Sequence, residues 1–149
     1  MDLTWKYVSF NELSASALYS ILQLRNAVFV VEQNCVYQDA DNLDQISYHI
    51  TGWDEDTLAA YCRVLPPGVT FKEASIGRVV TSPDYRKCGY GRELMQTAVG
   101  FTLDRFKCKK INISAQLYLK KFYESLGFVK ISRTYLEDNI PHIEMQFTK

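Results

Sequence analysis

The sequence predicts an α+β chain whose sheet is mixed, mostly antiparallel and built from about seven strands. A β-prone segment, Ser75–Thr81, is followed by a glycine-bearing turn, a periodic helix and a short apolar strand, Lys110–Ser114. Such a strand–helix–strand crossover is right-handed and makes its two strands parallel. Two alternating segments, Ser47–Trp53 and Thr57–Leu65, flank a polar turn and predict an antiparallel hairpin. The predicted order is β, α, three β, α, β, α, two β, in one domain over residues 1–149.

The N-terminal segment predicts one strand and one long helix. Trp5–Phe10 alternates between apolar and polar residues, and Ser14 is a suitable N-cap for a helix that runs to about Glu32. The apolar stripe of this helix consists of Leu18, Ile21, Leu22, Val28 and Phe29. Arg25 lies on the same face, and we expect its stem to pack there while its guanidinium reaches a carboxylate. A contact with substrate is the alternative role for Arg25.

A polar loop, Gln33–Gln45, follows this helix and carries Asp39, Asp41 and Asp44. It lacks the glycine and the ligand spacing of a calcium loop, so we expect a solvated, turn-forming acidic loop. The alternative is that these carboxylates attract a cationic amine. His49, on the next strand, is expected to be structural, either hydrogen-bonded or exposed.

The second half of the chain predicts two further helices and the last strands. One face of the helix after the turn carries Gly91, Leu94, Met95, Ala98, Thr102 and Phe106. Leu117–Leu126 predicts a third helix, which Gly127 ends as a C-terminal cap. Phe128–Tyr135 and His142–Phe147 predict the last two strands, joined by a polar connection.

Composition narrows the class of protein. The 149 residues are 47% hydrophobic and 23% charged, and the formal net charge is zero, which argues against nucleic acid or an anionic membrane as the main partner. No apolar run reaches spanning length, and no signal-peptide pattern opens the chain. Four cysteines without metal-ligand or C-x-x-C spacing predict reduced thiols and a cytoplasmic protein.

The turn before the central helix has the chemistry of a phosphate site. It consists of Arg86, Lys87, Cys88, Gly89, Tyr90, Gly91 and Arg92. Its glycines let a ligand approach the main chain, and the unpaired amides of the helix start favour an anion. A Walker loop and a dinucleotide fingerprint are both excluded, because the first lacks Gly-Lys-Ser/Thr and the second has Leu94 in place of its third glycine. The alternative on the turn alone is a solvated basic turn.

Two motifs in this order resemble those of the GNAT N-acetyltransferases. The first is Arg-x-x-Gly-x-Gly with Val-Val-Thr-Ser-Pro upstream, which resembles the acetyl-CoA-binding motif of that superfamily. The second is Phe-Tyr-x-x-x-Gly-Phe over residues 122–128. Three segments further resemble the ElaA-like subgroup: Ala27–Cys35, the following Tyr37-Gln38-Asp39, and Asn139–Met145. The resemblance covers nearly the whole chain and implies the GNAT fold, with a central parallel β-α-β crossover and helices on both faces of the sheet.

The resemblance also implies roles for individual residues. Val79, Val80 and Thr81 would hold the pantetheine arm through main-chain hydrogen bonds, and an amide there would polarise the acetyl carbonyl. Arg86 through Arg92 would bind the pyrophosphate. Gln116 stands where many relatives have an asparagine facing the pantetheine. Tyr123 would protonate the departing thiolate, with a core aromatic role as the alternative.

The acceptor amine needs a base, because a primary amine with a pKa near ~10 is mostly protonated at neutral pH. The candidates are Glu32, His142 and Glu144, and we favour Glu32 because it ends the first helix where acceptors enter in this superfamily. His142 and Glu144 alternate on one face of the last strand. Each has an alternative role as an ordinary polar residue of the surface or the strand.

The expected function is acetyl-CoA-dependent transfer of an acetyl group to a primary amine of a small molecule or peptide. Acetyl-CoA acts as co-substrate, and no metal is implied. Transfer of another acyl group and a non-catalytic acyl-CoA-binding or sensing module are the alternatives. We expect a monomer or a homodimer, in which an exposed last strand would pair with a second copy.

Overall fold

The computed structural model describes residues 2–149 and has one mixed sheet with three α-helices. Its elements are β1 Thr4–Ser9, α1 Ala15–Arg25, β2 Tyr48–Asp54, β3 Thr57–Leu65, β4 Ala74–Thr81, α2 Tyr90–Phe106, β5 Lys110–Gln116, α3 Lys120–Ser125, β6 Phe128–Lys130, β7 Tyr135–Glu137 and β8 Ile140–Thr148. The strands are ordered β1-β2-β3-β4-β5-β8-β6, with β7 also paired to β8. Only β4 and β5 run parallel among the described pairs. The predicted fold class is therefore confirmed.

The parallel pair is short, and this shapes the molecule. β4 and β5 pair only through Ala74 with Ile111 and Ser75 with Asn112. Beyond these residues, β4 continues beside β3 as far as Thr81, and β5 continues beside β8 as far as Gln116. Because β4 stays paired with β3 and β5 stays paired with β8, the two strands diverge and a gap opens between them in the centre of the sheet.

The first helix begins as predicted but changes type along its length. The Ser14 hydroxyl accepts a hydrogen bond of 3.0 Å from the Ala17 amide, which makes Ser14 the N-cap. After Arg25 the helix continues as a π-helix, Asn26–Glu32, so its predicted end at Glu32 is correct. The wider π turn was not predicted, and it is a form that often marks a functional region.

Helices cover both faces of the sheet, as the family resemblance implied. On one face, α2 buries Leu94, Met95 and Ala98 completely within the larger core cluster. The first helix and its π continuation pack on a separate cluster. That cluster consists of Ile21, Leu24, Val28, Leu58, Tyr61 and Val80.

The last strands differ from the prediction, which treated Phe128–Tyr135 as one strand. That segment is divided between β6 and β7, so the sheet has eight strands among residues 2–149 rather than about seven. The division occurs because the Ser132 hydroxyl accepts the Glu144 amide at 2.8 Å, in place of a main-chain carbonyl. β7 and β8 then form a tight hairpin through Asp138 and Asn139, both of which have positive φ.

The carboxylates of the acidic loop are not solvated, and that part of the prediction was wrong. Asp39 and Asp44 are only 5% and 8% exposed. Arg25 donates from Nε to Asp39 Oδ2 at 2.7 Å and from Nη1 to Asp44 Oδ1 at 2.8 Å. The predicted pairing of Arg25 with a carboxylate is thus confirmed, but it lies in the interior, where Arg25 is completely buried. A buried carboxylate needs a charged or hydrogen-bonding partner, and arginines of this chain already supply one to Asp39 and Asp44.

His49 is a structural histidine, as predicted. Its Nδ1 lies 2.7 Å from the Tyr61 hydroxyl and its Nε2 lies 2.8 Å from the Asp44 carbonyl oxygen. Burial lowers the pKa of His49.

Among the helices of residues 2–149, none is both long and apolar enough to cross a membrane.

Candidate functional site

A cleft of about 510 Å³ occupies the gap between β4 and β5. The π-helix forms one wall through Val28, Phe29 and Glu32. β4 contributes residues 77–81, β5 contributes Ile113, Ser114 and Gln116, and the far end is formed by α3 and the β7–β8 hairpin. A ligand site at the carboxyl ends of separating strands follows the general rule for α/β crossovers.

The turn at the mouth of this cleft has the geometry that a diphosphate requires. Gly89 is the N-cap of α2 and has φ +81°, a conformation that L side chains rarely adopt. A Cβ on Gly91 would lie 3.6 Å from Thr81 Oγ1. The turn therefore faces β4, with the positive end of a 17-residue helix behind it. The residues present fit the diphosphate of a CoA ester.

The basic side chains of the turn have different surroundings. Arg86 lines the cleft, whereas Lys87 and Cys88 are exposed to solvent. Arg92 points toward α3, where its Nη2 donates to Ser125 Oγ at 2.7 Å and its guanidinium lies 5.8 Å from the Phe122 ring centroid. Of the three basic side chains predicted to bind the pyrophosphate, Arg86 is therefore the one that lines the cleft.

Arg86 forms an ion pair with Glu32 across the mouth of the cleft. Its Nη1 and Nη2 donate to Glu32 Oε2 at 3.0 Å and Oε1 at 2.5 Å. These hydrogen bonds lower the pKa of Glu32 below its ordinary value. A carboxylate held in this way is a poor proton acceptor, so the geometry disfavours Glu32 as the general base.

Tyr123 lies at the inner end of the cleft and is 6% exposed. Its ring contacts Phe122 and Phe128 in edge-on arrangements, with centroids 5.2 and 5.8 Å away. No residue in the range 2–149 forms a hydrogen bond with its hydroxyl. Burial raises the pKa of Tyr123, so the hydroxyl keeps its proton at neutral pH.

His142 also lines the cleft, and its tautomer is fixed. The Nδ1 atom lies 2.7 Å from the Ile140 carbonyl oxygen, which only accepts, so Nδ1 must carry a hydrogen. The other nitrogen, Nε2, lies 3.3 Å from Glu137 Oε2. The sequence did not mark Glu137 as a site residue, because its polar neighbours predict a connection rather than a strand of the β7–β8 hairpin.

Glu144 is not brought to the cleft. It shares a sheet face with His142, as predicted, but it lies two residues further along β8 and accepts a hydrogen bond from Asn112 Nδ2 at 3.2 Å. The predicted contact residues Val79, Val80, Thr81 and Gln116 all line the cleft.

β4 contains an irregularity that the sequence did not indicate. Arg78 has φ +50° although it is not glycine, and the register with β3 shifts at this point. Such a bulge bends the strand and redirects its main-chain groups. The bulge lies on the cleft wall, next to Val79 and Val80.

Comparison with known proteins agrees with this geometry. The family model for the Acetyltransferase (GNAT) domain matches residues 17–149. Protein ElaA of Escherichia coli is 42% identical over 145 residues, which cover 96% of this chain and 95% of ElaA. A UPF0039 protein of Schizosaccharomyces pombe is 42% identical over 147 residues and is covered to 97%.

Solved structures show the same similarity. An acyl-CoA N-acyltransferase from Pseudomonas aeruginosa superimposes with a TM-score of 0.93 at 39% identity, over 98% of this chain and 99% of that one. The crystal structure of Escherichia coli ElaA gives a TM-score of 0.91 at 41% identity, over 97% and 99% of the two chains. An aminoglycoside 6'-N-acetyltransferase complexed with coenzyme A, at 16% identity and a TM-score of 0.73, shares the fold.

Proposed function

Because this chain belongs to the GNAT acetyltransferase family and is an acyltransferase, we propose that it transfers an acetyl group from acetyl-CoA to a primary amine of a small molecule or peptide. One observation carries the proposal: Arg86 and Gly91 of the phosphate turn line the same cleft as Tyr123. One bound carrier can therefore contact the turn with its anionic end and Tyr123 with its reactive end.

Acyl-CoA, when bound, supplies an acyl carbon activated as a thioester. The amides of the turn and the Arg86 guanidinium hold its diphosphate, and the main chain of Val79 to Thr81 holds its arm. Because β4 and β5 do not pair at this level, main-chain groups of β4 are free of β5 and can bind a ligand. An amide of the bulge polarises the acyl carbonyl, as preorganised donors do in acyl transfer.

His142 is the proposed base in place of Glu32. His142 lines the cleft, and the Ile140 carbonyl holds the ring in one orientation. Nε2 of His142 accepts one proton from the amine as the new carbon–nitrogen bond forms. Glu137, beside Nε2, stabilises the imidazolium that results.

Tyr123 is the proposed acid. The carbon–sulfur bond breaks as the amide forms, and the departing sulfur takes the hydroxyl proton, which solvent later restores. Two features support this role: the raised pKa keeps the proton in place, and no described protein group competes for it.

We also propose the cytoplasm as the compartment and a monomer or homodimer as the working form. The compartment is supported by the four cysteines, all of which are free thiols.

The phosphate turn can be tested with two matched glycine variants. Gly89 and Gly68 have nearly the same φ, +81° and +84°, and at each a Cβ would meet nothing within 4 Å. Gly68 lies in the connection between β3 and β4, outside the phosphate turn. Gly89→Val and Gly68→Val therefore impose the same backbone strain, but only the first disturbs the turn. Calorimetric titration with CoA should show at least about a tenfold loss (~1.4 kcal/mol) for Gly89→Val and no such loss for Gly68→Val. Equal affinities in the two variants would refute the turn as the diphosphate site.

A further inference from the structure

The bulge in β4 is held in a conformation that its own residue type disfavours. Gly77 pairs with Arg63 and Val80 pairs with Tyr61, so Arg78 and Val79 together stand opposite the single residue Cys62. Within residues 2–149, neither the β3 ladder nor the β5 ladder includes Arg78 or Val79. Arg78 nevertheless keeps φ +50°, which requires support from outside the strand.

That support comes from the side chain of Arg78. Its Nε donates to Asp39 Oδ1 at 2.8 Å and its Nη2 donates to the Asp39 carbonyl oxygen at 3.0 Å. The guanidinium carbon also lies 5.8 Å from the centroid of the Tyr37 ring. A third, longer hydrogen bond of 3.4 Å runs from Nη2 to Asp41 Oδ2. Two hydrogen bonds to one residue fix the guanidinium in direction as well as in position.

Asp39 is itself held from the opposite side. Arg25 donates to Asp39 Oδ2 at 2.7 Å and to its carbonyl oxygen at 3.2 Å, and the Tyr37 hydroxyl donates to Oδ1 at 3.0 Å. Arg25 belongs to α1 and is fully buried. Asp39 therefore connects a buried residue of α1 to the positive-φ residue of the β4 bulge on the cleft wall.

From this chain of contacts we propose that Asp39 is a positioning residue for acyl transfer: by clamping Arg78, it fixes the bulge that aims a β4 main-chain amide at the acyl carbonyl. The inference rests on the proposed function, since it assumes that an acyl thioester lies against β4. An oxyanion donor must stand about 2.7–3.1 Å from the oxygen it stabilises, so a small relaxation of the bulge removes its effect. Binding of the diphosphate, at the other end of the cleft, does not depend on the clamp.

Asp44 provides a matched control. Like Asp39, it is buried and accepts a hydrogen bond from Arg25, but its other partner is Arg63 at 2.8 Å rather than Arg78. Asp39→Asn and Asp44→Asn therefore both damage the buried ion pairs, and only the first weakens the clamp on the bulge. A purely structural role of the network predicts that both variants behave alike.

The direct readout is the carbonyl band of bound acetyl-CoA, isolated as the infrared difference between samples with ¹²C and ¹³C at the acyl carbon. In the wild type, the hydrogen bond shifts this band away from its position for free acetyl-CoA. Asp39→Asn should lose at least about half of that shift, while its CoA affinity stays within about threefold of wild type. Asp44→Asn should keep the shift, whatever it loses in thermal stability. Arg78→Gly, which permits positive φ but removes the clamp, should resemble Asp39→Asn and provides the test should Asp39→Asn fail to fold.

Two results would overturn the inference alone: a wild-type band in the Asp39→Asn and Arg78→Gly proteins, or equal loss in the Asp39→Asn and Asp44→Asn proteins. If the wild-type protein bound no CoA in the accompanying titration, the proposed function itself would fall, and this inference with it.

Discussion

Arg86 and Glu32 are joined by two hydrogen bonds, of 3.0 and 2.5 Å, that connect the phosphate turn to the end of the first helix. Both side chains are about two-fifths exposed, at 42% and 43%. The pair is therefore reachable by a ligand that enters the cleft. A diphosphate would compete with Glu32 for the same guanidinium, because both present oxygen atoms with negative charge.

The first prediction follows from this competition. Glu32→Gln should bind CoA about two- to fivefold more tightly than wild type, because Arg86 no longer has to leave a charged partner. Arg86→Gln should bind CoA more weakly, and the double variant should resemble Arg86→Gln alone. Calorimetric titration of the four proteins forms a double-mutant cycle. Unchanged affinity in Glu32→Gln would mean that Arg86 keeps its partner when CoA is bound.

The second prediction concerns the proposed acid. Tyr123→Phe should lower kcat by roughly a hundredfold, in the range that a positioned acid contributes, and should leave CoA affinity nearly unchanged. Tyr118→Phe is the control, because Tyr118 also borders the cleft but is 74% exposed at its edge. Initial rates of CoA release with a panel of primary amines provide the measurement. Parallel loss of rate and of CoA affinity would assign Tyr123 to packing instead.

The third prediction separates the three candidate bases. His142→Gln should reduce kcat by about a hundredfold at neutral pH, whereas Glu144→Gln, which lies outside the cleft, should change it by less than about threefold. Glu32→Gln should retain most of the rate. The defect of His142→Gln should shrink as the pH rises toward ~10, because the amine then loses its proton unaided. A larger defect in Glu32→Gln than in His142→Gln would restore Glu32 as the base.

The fourth prediction concerns stability at acid pH. Burial acts to raise the pKa of Asp41, but hydrogen bonds and charge from Arg63 outweigh it and lower the value from 3.8 to about 2. Because the folded-state pKa is depressed, the contribution of Asp41 to stability is complete above about pH 4 and is lost as the pH falls toward 2. Urea titrations across this range should show a shallower acid-side loss for Asp41→Asn than for wild type. Identical slopes would contradict the depressed pKa.

Features with local causes were predicted well from the sequence. Gly89 and Gly127 both take positive φ where a turn and a helix cap were expected, because a glycine in a turn or after a helix is a signal contained in a few residues. The Ser14 cap and the helix end near Glu32 were found for the same reason.

Features that depend on residues far apart in the chain were not predicted from the sequence. Asp41 pairs with Arg63, 22 positions away, and Asp39 pairs with Arg78, 39 positions away. Nothing local marks those carboxylates as buried, so they were expected to be solvated. The positive φ of Arg78 is likewise imposed by a partner on another element, and the residue type itself argues against it.

The same limit explains the choice of base. The sequence placed Glu32 at the end of the first helix but did not show that Arg86 holds it. It placed His142 and Glu144 on one face of a strand but did not show that the gap between β4 and β5 reaches only the first of them.

The decisive measurement is a crystal structure of the protein with acetyl-CoA. We expect the diphosphate on the amides around Gly89 and Gly91, the arm along β4, and the thioester sulfur within about 3.5 Å of the Tyr123 hydroxyl. A structure in which the carrier lies elsewhere, or in which the gap between β4 and β5 stays empty at saturating acetyl-CoA, would contradict this expectation.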